Sequence, residues 1–273
     1  MKECGFLYSR LIKSNAKRFR NFQLSTFNFQ LHKSNFFNIA KNKILKGVFT
    51  MGRIVALGGG AFDDGEVLPI IEKIYEFSGK ENPRVLYLPT AGFDDMGDAE
   101  VILAPFRERS EDVNSLLLTD ESLTEEDVKK AILSADIVYA GGGNLEFLMN
   151  TLKKTKADKY LKEAYENGTV LSGLSSGAMC WFEMGWDDCG ENNAFMFVEC
   201  LGLLKGCFSP HYESDYWQPF KEAIKTIDLD GIAADNGAAL TYNNGVFGTV
   251  NGNDGGEVYM FKNSNGKKEE FFK

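Results

Sequence analysis

Residues 169–182 read TVLSGLSSGAMCWF. The first six are a short apolar run closed by a turn, the pattern of a buried strand over Val170–Leu174. The last seven, SGAMCWF, open a helix expected to run through Met179 and Phe182. Between them, Gly173-Leu174-Ser175-Ser176-Gly177 has the form G-x-S-x-G. In a strand–turn–helix context this spacing makes a sharp elbow. Its glycines matter because side chains there would clash with their neighbours. The turn lifts the Ser175 hydroxyl above the carboxyl edge of the sheet. It also leaves the Ser176 N–H at a helix N-terminus, aimed at a developing oxyanion. The plain alternative is an ordinary Gly/Ser turn. Ser172 and Ser176 are competing hydroxyls, but only Ser175 has the elbow register.

Outward from the elbow, short apolar strands alternate with amphipathic helices. Strands are expected at Ile54–Leu57, Val85–Leu88, Ser115–Leu118 and Ile137–Ala140. Helical spacing covers Glu66–Phe77, Asp98–Glu108, Leu145–Leu152 and Asp158–Glu166. Thr124, with Asp127 three residues on, caps a further helix ending at Leu133. Strands linked by helical crossovers pair in parallel and are covered on both faces. The fold class is therefore α/β, with a mainly parallel sheet between helices. Beyond Gly231 the rhythm changes. Strands near Ala238–Tyr242, Val246–Val250 and Glu257–Phe261 are joined by tight turns, and Asn244-Gly245 is a strong hairpin signal. An antiparallel hairpin edge is expected to complete the same domain near the C-terminus.

The chain has 273 residues and a net charge of −9, unevenly spread. Residues 1–50 hold ten Lys/Arg against one acid, Glu3, while the remainder holds 20 basic and 38 acidic residues. An acidic body argues against nucleic acid as a partner. No apolar run approaches the roughly 20 residues that span a bilayer, so no membrane partner is expected. The five cysteines form no CxxC pair. They read as reduced thiols of a cytoplasmic protein without a metal site. Residues 1–50 are a basic extension expected outside the fold, with 51–273 a single α/β domain. Three readings of that extension stand: a translated segment upstream of a start at Met51, an arm that docks on the body or a partner, and a targeting peptide.

A reactive serine needs a base. His32 lies in the extension, so within the body the base is expected at His211, in CFSPHYES. An imidazole there can take the Ser175 proton near neutral pH and return it to a leaving group. A third group would orient the ring. Asp235, in IAADNGAAL, follows an expected strand at the same edge; Asp187 and Asp188, in GWDDCGEN, are the alternatives. Each is equally explicable as a turn acid. Gly141-Gly142-Gly143-Asn144 ends a strand and opens a helix, so its backbone N–H groups can supply a second oxyanion donor or simply a tight turn. Gly58–Gly60 is ambiguous in the same way and lacks the spacing of a nucleotide-binding loop. A non-enzymatic module using these turns for a small anion therefore remains open. Trp181, Trp186, Tyr216 and Trp217 suit the core, a pocket wall or a homodimer face.

Taken in order, ALGGG, VLYLPTA, YAGGGN, GLSSGA and the PHY histidine resemble the peptidase E family of serine peptidases (family S51), relatives of cyanophycinase. The resemblance covers residues 53 to about 240. It implies a class I glutamine amidotransferase-like fold with serine at the elbow. It also implies Ser175 as nucleophile, His211 as base and Gly142, Gly143 and Ser176 around the oxyanion. Asp235 is favoured as third member. The expected substrate is a small peptide, cleaved as by a dipeptidase through an acyl-enzyme, with no cofactor. An amidase or esterase on the same scaffold is the neighbouring alternative. The best-known members suggest cleavage after an N-terminal Asp, which calls for a cation near the substrate carboxylate. Here the stretch after His211 reads YESDYWQPFKEAI, acidic and aromatic, with Lys221 its nearest cation. Only the peptidase class carries over. Glu213 and Asp215 suit a substrate amine instead.

Overall fold

A computed structural model describes residues 52–264 and 267–272. The expectation for residues 1–50 lies outside them. The chain runs β1 (Arg53–Leu57), α1 (Leu68–Ser78), β2 (Val85–Leu88), α2 (Ala99–Arg107) and β3 (Val113–Ser115). It continues through α3 (Glu125–Ser134), β4 (Ile137–Ala140), α4 (Leu145–Lys154), α5 (Ala157–Glu166), β5 (Val170–Leu174) and α6 (Ser176–Met179). Then come β6 (Phe182–Asp187), β7 (Met196–Glu199), β8 (Leu204–Ser209), α7 (Phe220–Ala223) and β9 (Gly231–Ala234). The last strands are β10 (Ala238–Asn243), β11 (Val246–Asn251), β12 (Val258–Ser264) and β13 (Lys267–Phe272).

The strands form two sheets. The larger has the order β11-β10-β1-β5-β4-β2-β3. Its five members from β1 to β3 are parallel, and β10 and β11 close one edge as an antiparallel hairpin. The α/β class and the hairpin edge are as expected. Asn244 and Gly245 both take positive φ, 52° and 94°, as a two-residue hairpin turn requires. Thr124 caps α3 with the reciprocal Asp127 bond. One face of this sheet packs on α1 and α2 through Ile70, Ile74, Leu103 and Phe106. The other face packs on α4 and α5 and shares a core with Phe182, Phe208 and Ile232 of the smaller sheet.

That smaller sheet, ordered β13-β12-β9-β8-β6-β7, is a departure from expectation. Residues 258–261 belong to it, not to the edge of the first sheet. The helix after the elbow is also shorter than expected. It ends at Met179, and Phe182 begins β6. Residues 178–182 are buried without exception, so no polar face marks a helix. A short apolar run of that kind fits a buried strand equally well. The expected strand at 115–118 sits two residues earlier, at β3, although Leu116 N–H still reaches Tyr87 C=O at 2.9 Å. Among the described residues no helix is long and apolar enough to cross a membrane.

Candidate active site

Ser175 hangs from the carboxyl end of β5, between β1 and β4 at the middle of the larger sheet. Its backbone has φ 54° and ψ −118°, a conformation that costs a non-glycine residue on the order of 1–3 kcal/mol. Three constraints hold it there. Ser175 N–H donates to Leu57 C=O at 3.1 Å. A Cβ on Gly173 would collide with Gly177 C=O, and one on Gly177 would collide with Ala140 C=O. These close approaches explain why the elbow is flanked by glycine. Ser176 Oγ donates to Gly143 C=O at 2.6 Å, tying the elbow to the turn after β4. Gly142 lies directly beside the serine: a Cβ there would be 3.3 Å from Ser175 Cβ and 3.8 Å from its Oγ. Asn144 completes that turn by accepting from Phe147 N–H at 2.7 Å, which caps α4.

The smaller sheet brings the imidazole. β8 and β9 are parallel neighbours, so the loops after them leave the same edge. His211 follows β8, with φ 52°, and its N–H donates to Gly58 C=O at 3.1 Å. Its Nε2 is 3.0 Å from Ser175 Oγ. Its Nδ1 is 2.7 Å from Asn236 Oδ1. An amide oxygen only accepts, so Nδ1 carries the hydrogen and Nε2 presents its lone pair to the serine hydroxyl. The Trp217 ring lies beside the imidazole, with centroids 5.5 Å apart.

Asn236, not Asp235, therefore meets His211. Residues 235–237 link β9 to β10 in a turn closed by Ala238 N–H on Asp235 C=O at 3.2 Å, and the two side chains meet different partners. Asp235 turns away from the ring and accepts from Glu257 N–H at 3.1 Å and from the Tyr259 hydroxyl at 3.2 Å. Burial pushes its carboxyl pKa up, and those two bonds work against the rise. Asp187 accepts from Leu145 N–H at 3.0 Å, at the start of α4, and burial raises its pKa too. Asp188 accepts from the Tyr216 hydroxyl at 3.0 Å. The orienting contact expected of an acid is thus made by a neutral amide. Its signal in the sequence is the Asn next to Asp235 in ADNG.

Gly59, in the glycine run that the sequence leaves ambiguous, lies against this pair. A Cβ there would overlap Asn236 Oδ1 and lie 2.5 Å from His211 Nδ1. The glycine run after β1 thus makes room for the His211–Asn236 pair. Burial raises the pKa of the Cys180 thiol and pushes Cys189 up to about 11 and Cys200 up to about 12, so these three stay protonated near neutral pH. Among the described residues no cluster of His, Cys, Asp and Glu suits a metal ion. The four arginines of residues 52–273 sit elsewhere in the fold. Arg53 opens β1, Arg84 precedes β2, and Arg107 and Arg109 lie at the C-terminal end of α2.

The mainly parallel larger sheet, covered on both faces by helices and closed at one edge by an antiparallel hairpin, is of the class I glutamine amidotransferase-like fold. The particular family follows from sequence. The model of "Peptidase family S51" matches residues 54–250, and the chain belongs to that family of peptidases. It is 34% identical over 214 residues to the Bacillus subtilis (strain 168) protein described as "Uncharacterized peptidase YgaJ", covering 77% of this chain and 91% of that one. It is similar in fold to the crystal structure of a peptidase from an acI-B1 Actinobacterium. The TM-score is 0.62 at 18% identity, over 82% of this chain and 95% of the other. A putative peptidase E protein from Listeria monocytogenes EGD-e gives a TM-score of 0.57 at 19% identity, over 74% and 98%.

Proposed function

We propose that this peptidase is a serine peptidase of small peptides, dipeptidase-like, with Ser175 as nucleophile and His211 as general base. The observation that carries the reading is the 3.0 Å contact between His211 Nε2 and Ser175 Oγ at an elbow held at positive φ. Ser175 Oγ attacks the scissile carbonyl and His211 Nε2 takes its proton. The Ser176 N–H, with N–H groups of Gly142 and Gly143, holds the oxyanion. His211 then returns the proton to the leaving amine, and water, deprotonated by the same ring, releases the acyl-enzyme. Asn236 fixes the tautomer that leaves Nε2 free to accept. As a neutral amide it offers less to the imidazolium than a carboxylate does. Residues 51–273 are the catalytic unit in this reading, in keeping with a family match that starts at residue 54.

The substrate side of the reading is that Asp at the peptide N-terminus is not preferred. The loop that follows His211 carries Glu213 and Asp215 and no arginine. The test is a dipeptide panel of Asp-Leu, Ala-Leu and Lys-Leu with wild type, Ser175→Ala and His211→Ala. Turnover that both substitutions reduce by about a thousandfold or more supports the serine mechanism. Turnover that survives Ser175→Ala removes it. A strong Asp-Leu preference would remove the specificity reading alone.

A further inference from the structure

We infer that Glu213 is a positioning residue of this site, holding Asn236 and through it the His211 ring. The inference rests on the serine-peptidase reading above. Asn236 is exposed, in the short link between β9 and β10. An exposed amide side chain has several rotamers open to it, and only one puts Oδ1 on the imidazole. Its aim is set by the backbone that carries it. Three hydrogen bonds pin that backbone. Asp235 N–H donates to Glu257 C=O at 3.0 Å, and Gly237 N–H donates to Gly59 C=O at 3.1 Å. Between them, Asn236 N–H donates to Glu213 Oε2 at 2.8 Å.

The first two bonds are backbone to backbone and survive any side-chain change. The third depends on the Glu213 side chain alone. It also has a particular origin. Glu213 lies two residues after His211 on the same loop, and His211 N–H is itself fixed to Gly58 C=O at 3.1 Å. One loop therefore supplies the ring and also holds the residue that orients the ring. Glu213 acts through Asn236 and is not a catalytic residue. Its expected contribution is to kcat, because alignment of His211 with Ser175 matters most as the proton moves.

The test compares Glu213→Gln with Glu213→Met in the full chain, using the best dipeptide of the panel and Ser175→Ala as control. The two replacements are similar in length, but only Gln retains an oxygen that can accept the Asn236 N–H. Glu213→Met is expected to lower kcat about tenfold with KM within about twofold. Glu213→Gln is expected to recover most of that loss, and melting temperatures establish that both variants are folded. An unchanged kcat in Glu213→Met would overturn the inference. So would a Gln variant as slow as the Met variant, since charge and not the hydrogen bond would then matter. Should the Met variant fail to fold, Glu213→Ala takes its place under the same criteria. Persisting turnover in Ser175→Ala would bring down the underlying reading and this one with it, whereas loss there with a fast Met variant sinks this inference alone.

Discussion

The larger and smaller sheets each contribute to the site, by different physical means. The elbow on β5 is fixed by backbone packing: Gly173 against Gly177, Gly177 against Ala140, and Ser175 N–H on Leu57. The His211 and Asn236 loops after β8 and β9 are fixed mainly by hydrogen bonds and by the space over Gly59. Backbone collisions leave no room for adjustment, while hydrogen-bonded side chains can shift and be partly replaced. Changes near the elbow should therefore abolish function, and changes in the second region should grade it.

That contrast can be broken in the second region, most severely at Asn236. Asn236→Ala removes the acceptor that selects the His211 tautomer, and kcat on the best dipeptide should fall by about a hundredfold. Gly59→Ala retains Ser175, His211 and Asn236 but sets a Cβ against Asn236 Oδ1 and His211 Nδ1. The flexible amide end can give way, so the protein should fold while kcat drops about tenfold or more. Wild-type turnover in Gly59→Ala would mean that the pair is not needed. Asp235→Asn keeps acceptors for the Glu257 N–H and the Tyr259 hydroxyl, so kcat should stay within about threefold of wild type. A loss as large as that of Asn236→Ala would restore Asp235 to the role the sequence suggested.

The smallest effect is expected at Asp187, and on stability alone. Burial raises its pKa in the folded protein. Ionisation therefore costs more in the native state than in the unfolded one, and wild type loses stability as pH rises through the folded pKa. Asp187→Asn keeps an acceptor for Leu145 N–H and carries no charge. Its melting temperature should exceed that of wild type at neutral pH, with the difference fading as pH falls below the ordinary Asp value of about 3.9. A gain that persists at low pH would mean that the charge is not its source.

The two regions also differed in how legible they were. The elbow is local: fourteen consecutive residues carry the strand, the turn and the serine, so the sequence alone located it. The alternating strands of the larger sheet were legible for the same reason, as was the Asn244-Gly245 hairpin. The smaller sheet is legible only in part: strands before Asp235 and near 257–261 are expected and present as β9 and β12, but β6 continues a wholly buried run that periodicity cannot resolve. His211 was found by elimination, as the one histidine of residues 51–273. Asn236, which meets the ring, lies one position from the expected Asp235. Chemical expectation favours an acid, and which of two adjacent side chains faces the ring depends on how the link from β9 in the smaller sheet to β10 in the larger one turns. The role of Gly59 is purely steric and exists only once the two loops meet over it.

The most direct measurement is covalent labelling of the full chain with a fluorophosphonate probe, followed by mass spectrometry of the modified peptide. A serine peptidase working through this pair gives one adduct, on Ser175. Its rate of formation should fall sharply in His211→Ala and to a lesser degree in Asn236→Ala. An adduct on another residue, or labelling of Ser175 at an undiminished rate without His211, would overturn the mechanism.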